Sequence, residues 1–461
     1  MILCAALLSL SLPALSDPAI SETPMGHTLS DFLVAFNSGD PANIDVFKTV
    51  HHFGVPTDNI MGIYRADDGL TLLKIEQATD VSVAALVKEK DSDGILRLTI
   101  REIGTAEQPK LSLLLQDIPR PPEYAIPRLT QAEALKALKN RAASLAVEDK
   151  FSGAYLIAQD GKTLAANAYG WEDRASKVPA TTDTKFRMGS INKLFTAVAA
   201  LQLIDAGKMK LDGKVGDYLP DYPNPEIASK VTIRQLLTNT GGTGDFFGPE
   251  FDTNRLKLKT HSDYVALFGA RAPLFEPGSK DGYSNYGFLL LGNIIEKVSG
   301  LSYYDYVQKR VFAPAGMTHT ASAPEDQIVP KRAIAYTRGN VGWVPVPDLP
   351  YRGTAAGGGY TTIGDMLKFA LALDNGKLLP ERLLADATTL HDHGSGTGYG
   401  FSAYGAGMLQ SYGHNGGAPG INGEFRVYPA LHRVVVAFSN YDPNVAVNLA
   451  NFYTSRMPVA R

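Results

Sequence analysis

Two hydrophobic rhythms run through this chain. Leu96, Leu98 and Ile100 alternate with Arg97, Thr99 and Arg101, the period of two that gives a strand one buried and one wet face. Leu111, Leu113 and Leu115 repeat it. Upstream the period is helical. Ser30 reads as the cap of an apolar stretch with Leu33, Val34 and Phe36, which stops at Asn37-Ser38-Gly39. Asp40-Pro41 restarts a helix with Ile44 and Phe47, because proline suits the first helical position. Asp91-Ser92-Asp93-Gly94 predicts a hairpin turn. Residues 27–118 are therefore expected to form a small α+β unit, helices followed by a meander. Pro119, Pro121, Pro122 and Pro127 mark residues 119–129 as a stiff linker.

The pattern resumes at Thr130, with Glu133 placed for a capping box and Leu135, Leu138, Ala142 and Leu145 as the buried stripe. Strands over 151–159 and 163–169 meet at Asp160-Gly161, a strong hairpin signal. Asn422-Gly423 reads as another hairpin turn, joining the segment that contains His414 to residues 424–428. Residues 433–440 form a further strand. Asp442-Pro443 is expected to open a C-terminal helix with Val445, Leu449 and Phe452. Strands at both ends of 130–461 with helices between them imply one antiparallel sheet flanked by helices, an α+β fold.

Composition adds limits. A chain of 461 residues suggests two domains, and 44% hydrophobic with 20% charged residues is an ordinary globular balance. The net charge of -3 gives no electrostatic reason to expect nucleic acid as a partner. Residues 1–16, MILCAALLSLSLPALS, are apolar, short and end in small residues, as a secretory signal peptide does. The run is too short to span a bilayer and lacks the usual positive start. Its Cys4 is the chain's one cysteine, so cleavage would leave neither a disulfide nor a thiol site. The expectation is a secreted or periplasmic bacterial protein without a transmembrane anchor.

The chemistry lies in three motifs. Ser190-Ile191-Asn192-Lys193 puts a hydroxyl and an amine one helical turn apart, which lets the amine activate the hydroxyl as a nucleophile. The following residues are mostly apolar, so Ser190 is expected at a helix N-terminus. Desolvation should lower the Lys193 pKa until its amine accepts a proton. Tyr283-Ser284-Asn285 precedes a helical run at 288–298. Placed near cationic amines, the Tyr283 phenol would be partly ionised and would shuttle protons. Gly413-His414-Asn415-Gly416-Gly417 leads into a strand, where an N–H of this segment and that of Ser190 would make a two-donor oxyanion hole. His414 would contact a substrate carboxylate or the Tyr283 phenol. Singly, each motif has a plain structural reading: a capped helix with a surface lysine, a turn with a packing tyrosine, a satisfied histidine. Their joint occurrence in this order points to a serine hydrolase working through an acyl-enzyme. His51-His52 and His391-Asp392-His393 read as loop features without a ligand pattern. No metal or organic cofactor is implied.

These motifs carry a resemblance. The segment 186–193 looks like the nucleophile block of the serine β-lactamase-like superfamily, in the branch with Tyr-x-Asn as second motif, which holds class C β-lactamases and D-Ala-D-Ala carboxypeptidases. Val231 to Thr238 with Gly241-Gly242, and Gly357 to Asp365, are similar to two further blocks, with Asn239 replacing a common histidine and Thr362 and Asp365 placed to cap a helix. The resemblance covers about 130–458. It implies a sheet flanked by helices with a helical subdomain. It also implies Ser190 as nucleophile, Lys193 as base and Tyr283 as proton shuttle. Asn285 would orient a substrate amide or the Lys193 amine, and the N–H groups of Ser190 and Gly417, beside Gly416, would form the oxyanion hole. His414 stands where β-lactamases and carboxypeptidases place a lysine, and Asn415 where they place a threonine. His-x-Gly is similar to the form in D-aminopeptidases and mitochondrial LACTB-like proteases. The implied substrate is a small ester or peptide-like amide. The alternatives are a β-lactamase or carboxypeptidase, and a penicillin-acylated sensor without turnover, against which an intact Tyr283 argues. The N-terminal unit faintly resembles NTF2-like or cystatin-like domains. The sequence is silent on its role and on oligomeric state.

Overall fold

The computed structural model describes residues 21–104, 110–339, 342–391 and 393–459. The leader-like segment Met1–Ser16 with Cys4, and Asp392, lie outside them. The chain divides into two compact units between Ile126 and Pro127.

The first unit has helices α1 (Pro24–Asn37), α2 (Pro41–Val50) and α3 (Thr57–Asp67). Strands β1 (Leu70–Ala78), β2 (Ser82–Glu89), β3 (Ile95–Glu102) and β4 (Leu111–Asp117) follow and pair in sequence order as an antiparallel meander. The alternation in β3 has its expected effect. Leu96, Leu98 and Ile100 are buried with Val83, Ala85 and Val87 of β2 against Phe32, Phe36 and Phe47 of the helices. Helix α1 departs from the expected start. Thr23, not Ser30, is its cap, accepting from Gly26 N at 3.2 Å. The buried stripe reaches back through Leu29 to Met25, with Pro24 in the first turn. Asp40 caps α2 as expected, accepting from Ala42 N at 2.9 Å. His51 closes α2, packs its ring at a tilt against Phe47 and pairs with Asp31 at 3.0 Å. Within 119–129, Tyr124 donates to Leu73 O at 3.3 Å and Arg128 donates to Thr454 O at 2.6 Å.

The second unit is built on a six-stranded sheet. Strands β5 (Gly153–Gln159) and β6 (Lys162–Tyr169) come early in the chain. Strands β7 (Ser402–Tyr404), β8 (Ser411–Ala418), β9 (Ile421–Tyr428) and β10 (Arg433–Ser439) come late. The order is β7-β8-β9-β10-β5-β6, antiparallel throughout. Asp160 and Gly161 make the β5–β6 turn with φ of 48° and 74°, the double positive φ of a type I′ hairpin. The central strands are covered on both faces, so they read as unbroken apolar runs. Val434, Val436 and Phe438 face one core, shared with α5 (Asn192–Asp205), α7 (Asn285–Ser299) and α8 (Ile363–Asp374). Val435 and Ala437 face the other, shared with α4 (Gln131–Val147) and α9 (Val445–Thr454). Helix α6 (His261–Phe268) packs on α7. Thr130 and Glu133 form the expected capping box, and Ala134 joins Leu138, Ala142 and Leu145 in the stripe while Leu135 is only half-buried.

Two expected signals change places. Asn422 and Gly423 lie inside β9, opposite Gly417 and Gly416, and the hairpin turns instead at Pro419-Gly420, where Gly420 has φ 66°. Buried Asn422 caps α9 across space, accepting from Ala446 N at 2.6 Å and Val447 N at 3.4 Å. Asp442 does not open that helix. It ties the turn, accepting from Gly420 N at 2.8 Å and Arg338 N at 2.9 Å. Side chains that cap locally do so equally well through space, and the sequence alone does not separate the two uses.

Candidate active site

Ser190 lies in a single 3-10 turn, Gly189–Ile191, that runs into α5. The turn is wedged between two backbones. Gly358 N donates to Gly189 O at 3.1 Å on one side. On the other, strand β8 comes so close that a Cβ at Gly416 would sit 2.0 Å from Met188 O and 3.2 Å from Ser190 N. Gly416 is therefore required by close approach, and Gly189 also by its φ of 54°. A Cβ on Gly189 would meet Gly417 N at 3.1 Å. The N–H groups of Ser190 and Gly417 thus belong to facing stretches of backbone, the layout a two-donor oxyanion hole needs.

Helix α5 is buried on every side from Asn192 to Leu201, which matches a helix apolar all round. Its buried polar groups must be satisfied. Lys193 Nζ has no exposed surface in its residue and lies 3.2 Å from Ser190 Oγ. It donates to Asn285 Oδ1 at 2.7 Å and to Ala356 O. The Asn285 amide is oriented by its Nδ2, which donates to Asp245 Oδ2 at 2.7 Å. Burial lowers the Lys193 pKa to about 7, against the opposing pull of the Asp245 carboxylate. An unperturbed lysine holds roughly one amine in a few thousand neutral at that pH. A neutral amine has two N–H bonds and one lone pair. With Asn285 Oδ1 and Ala356 O taking the N–H bonds, the lone pair faces Ser190 Oγ.

Tyr283 donates to Ser190 Oγ at 2.7 Å from the other side, and its ring lies 4.8 Å from Lys193 Nζ. One residue brackets it. Asn239 O accepts from Gly282 N at 2.9 Å, and Asn239 Oδ1 accepts from Ser284 N at 3.2 Å. Asn239 does this from a left-handed conformation, φ 58°, which asparagine tolerates. The expected partial ionisation of Tyr283 is not found. Half of the residue is in solvent, but its hydroxyl end is desolvated against Ser190, which pushes the phenol up to about 12, with the Ser190 contact pulling the other way. The phenol is neutral through the physiological range.

His414 is buried in β8, and its Nδ1–H donates to Asn415 O. Burial first, and the neighbouring Lys193 second, hold its pKa down at about 4. It is a neutral imidazole at neutral pH and offers no cation to a substrate carboxylate. Its described contact is to its own strand rather than to Tyr283. His391 stacks on Tyr399, and His393 N donates to Asp281 Oδ1 at 3.0 Å, bracing the Tyr283 loop. Among the described residues no three His, Cys, Asp or Glu side chains converge as a metal site would.

A family model described as beta-lactamase matches residues 138–454. The chain belongs to the β-lactamase family. Penicillin-binding protein 4 of Amycolatopsis lactamdurans is 30% identical over 322 residues, covering 64% of this chain and 83% of that protein. The crystal structure of a penicillin binding protein from Bacillus halodurans aligns with TM-score 0.62 at 32% identity, over 67% of this chain and 98% of that one. A D-stereospecific amidohydrolase from Streptomyces sp. aligns with TM-score 0.58 at 28% identity, over 68% of this chain and 97% of that one. This member of the family is a serine hydrolase, with the expected sheet flanked by helices.

The fold gathers the three motifs around one oxygen. It adds three residues that the motifs do not contain: Ala356, whose carbonyl holds Lys193; Asp245, which orients Asn285; and Asn239. Only Asn239 left a trace in the sequence, as a departure inside a recognisable block. A backbone carbonyl carries no residue signal at all.

Proposed function

We propose that this protein hydrolyses small esters or peptide-like amides through an acyl-enzyme on Ser190. The observation that carries the reading is the geometry of Lys193, whose two backbone and amide acceptors leave its lone pair toward Ser190 Oγ. In this reading the Ser190 proton passes to Lys193 Nζ as Oγ bonds to the substrate carbonyl carbon. The N–H groups of Ser190 and Gly417 stabilise the oxyanion. The Lys193 proton then reaches the leaving group by way of the Tyr283 hydroxyl, and the leaving group departs. A water attacks the ester on Ser190, losing its proton to the same Tyr283–Lys193 pair, which returns it to Ser190 Oγ as the Oγ–acyl bond breaks and the acid is released.

Two features support a substrate without an anchoring carboxylate. His414 is neutral where a charged lysine would hold that group, and the exposed Asp245 adds negative charge close to Lys193. The signal-like start supports an exported location. Intact-protein mass spectrometry after exposure to a fluorophosphonate, a p-nitrophenyl ester and a β-lactam tests the reading. Wild type should form an adduct, turn over the ester and release β-lactam slowly, while Ser190→Ala does none of these. Full turnover by Ser190→Ala would overturn the mechanism. Fast cephalosporin hydrolysis would favour a β-lactamase, and stable acylation with every reagent a sensor.

A further inference from the structure

The carbonyl that holds Lys193 belongs to a short strap, residues 354–356, and one face of α5 grips all three of its carbonyls. Asn192 Nδ2 donates to Thr354 O at 2.8 Å, Thr196 Oγ1 donates to Ala355 O at 2.7 Å, and Lys193 Nζ donates to Ala356 O. On the far side the strap is held by an imidazole. Ala355 N donates to His261 Nε2 at 3.0 Å. Because Nε2 accepts, the ring proton sits on Nδ1, which donates to Glu296 Oε1 at 3.1 Å. The same Glu296 oxygen accepts from Tyr303 N at 3.0 Å.

The surrounding sequence makes room for this contact. Gly292 lies in the middle of α7, where glycine is less favourable than alanine. A Cβ there would lie 2.5 Å from the Ala355 Cβ and 2.9 Å from His261 Nε2. The His261 side chain has no exposed surface. It packs among Glu296, Tyr303 and Tyr304, with the Arg352 guanidinium over the Tyr304 ring. A buried, oriented imidazole with an acidic partner is an expensive way to hold one amide N–H if that amide does nothing.

We propose that His261, oriented by Glu296, is a positioning residue that fixes the strap and thereby aims the Lys193 lone pair at Ser190. This rests on the reading of Lys193 as the base. The titratable groups facing Lys193 are Asp245, Tyr283 and His414, and none of them replaces the Ala356 carbonyl. If the strap shifts, the neutral amine turns away from Ser190, and the ammonium form keeps one buried proton without an acceptor. The second loss is the larger, because hydrogen bonds to charged groups are the stronger ones.

The test is the pH profile of fluorophosphonate labelling of Ser190, with thermal unfolding measured alongside. His261→Leu should lower the plateau roughly 10- to 100-fold and move the acid limb to lower pH by about one unit. His261→Gln, which offers an acceptor to Ala355 N and a donor to Glu296, should restore both. Gly292→Ala should reproduce the leucine effect from the helix side, and it decides the question if His261→Leu does not fold. A folded His261→Leu or Gly292→Ala protein with the wild-type plateau and limb would overturn the proposal. Lys193→Ala separates the two levels. Wild-type labelling in that variant would sink Lys193 as the base, whereas slow labelling there with a normal His261→Leu profile would sink only the role of His261.

Discussion

Lys193 and Tyr283 reach the same oxygen, at 3.2 and 2.7 Å, from opposite surroundings. Lys193 is fully enclosed, and Tyr283 has 51% of its surface exposed. Both are nonetheless displaced toward their neutral forms, the lysine downward and the phenol upward, by desolvation in each case. Buried His414 follows the same rule. Two groups held toward their neutral forms therefore meet at one hydroxyl, Lys193 from the inner wall and Tyr283 from the open side, and the carboxylate that orients Asn285, Asp245, stands on the exposed rim. In the proposed mechanism, enclosure makes the base, while the open side keeps access for substrate and water.

Breaking the inner wall should cost most. Lys193→Ala should slow acylation by a reactive ester by roughly 10³–10⁴, and wild-type rates would remove Lys193 from the mechanism. In wild type the acylation rate should fall as pH drops through about 7, because protonation removes the lone pair. A rate flat to about pH 5 would contradict an enclosed lysine base. Gly416→Ala drives a Cβ into Met188 O, which should part Gly417 from Ser190 and cost roughly 10²–10³ in turnover. Stopped-flow ester hydrolysis at unchanged thermal stability reads this directly, and normal turnover would place the oxyanion donors elsewhere.

The half-exposed tyrosine should fail differently. Tyr283→Phe keeps the ring over Lys193 and removes the hydroxyl, so deacylation should slow by about 10²-fold and an acyl-enzyme should accumulate. Mass spectrometry at steady state distinguishes that from a plain loss of acylation. The smallest expected effect is His414→Lys. A cation at this position should improve reaction with a carboxylate-bearing β-lactam about tenfold while leaving a neutral ester almost unchanged. An equal change for both substrates would mean that His414 is not where carboxylate selectivity is set.

Much of the N-terminal unit was legible because period-two alternation survives wherever one strand face is buried, as in Leu96, Leu98 and Ile100. Helix starts were less so. Ser30 and Thr23 are equally good caps locally, and only packing of Met25 and Leu29 places the start upstream. The exchange between Asn422 and Asp442 has the same origin. Both residues hydrogen-bond backbone N–H groups, and the distance along the chain to the partner is set by the fold.

The sequence by itself determined which candidate groups meet, since a helical turn brings Ser190 and Lys193 together in any fold that keeps that helix, and glycines at 189 and 416 permit close approach. Tertiary structure alone decided their protonation and direction. The pKa of Lys193 depends on the apolar enclosure around α5, and the aim of its lone pair depends on Asn285 and Ala356, which lie far off in the chain. Local spacing fixes which atoms meet. Desolvation and through-space acceptors fix what they can do once they have met.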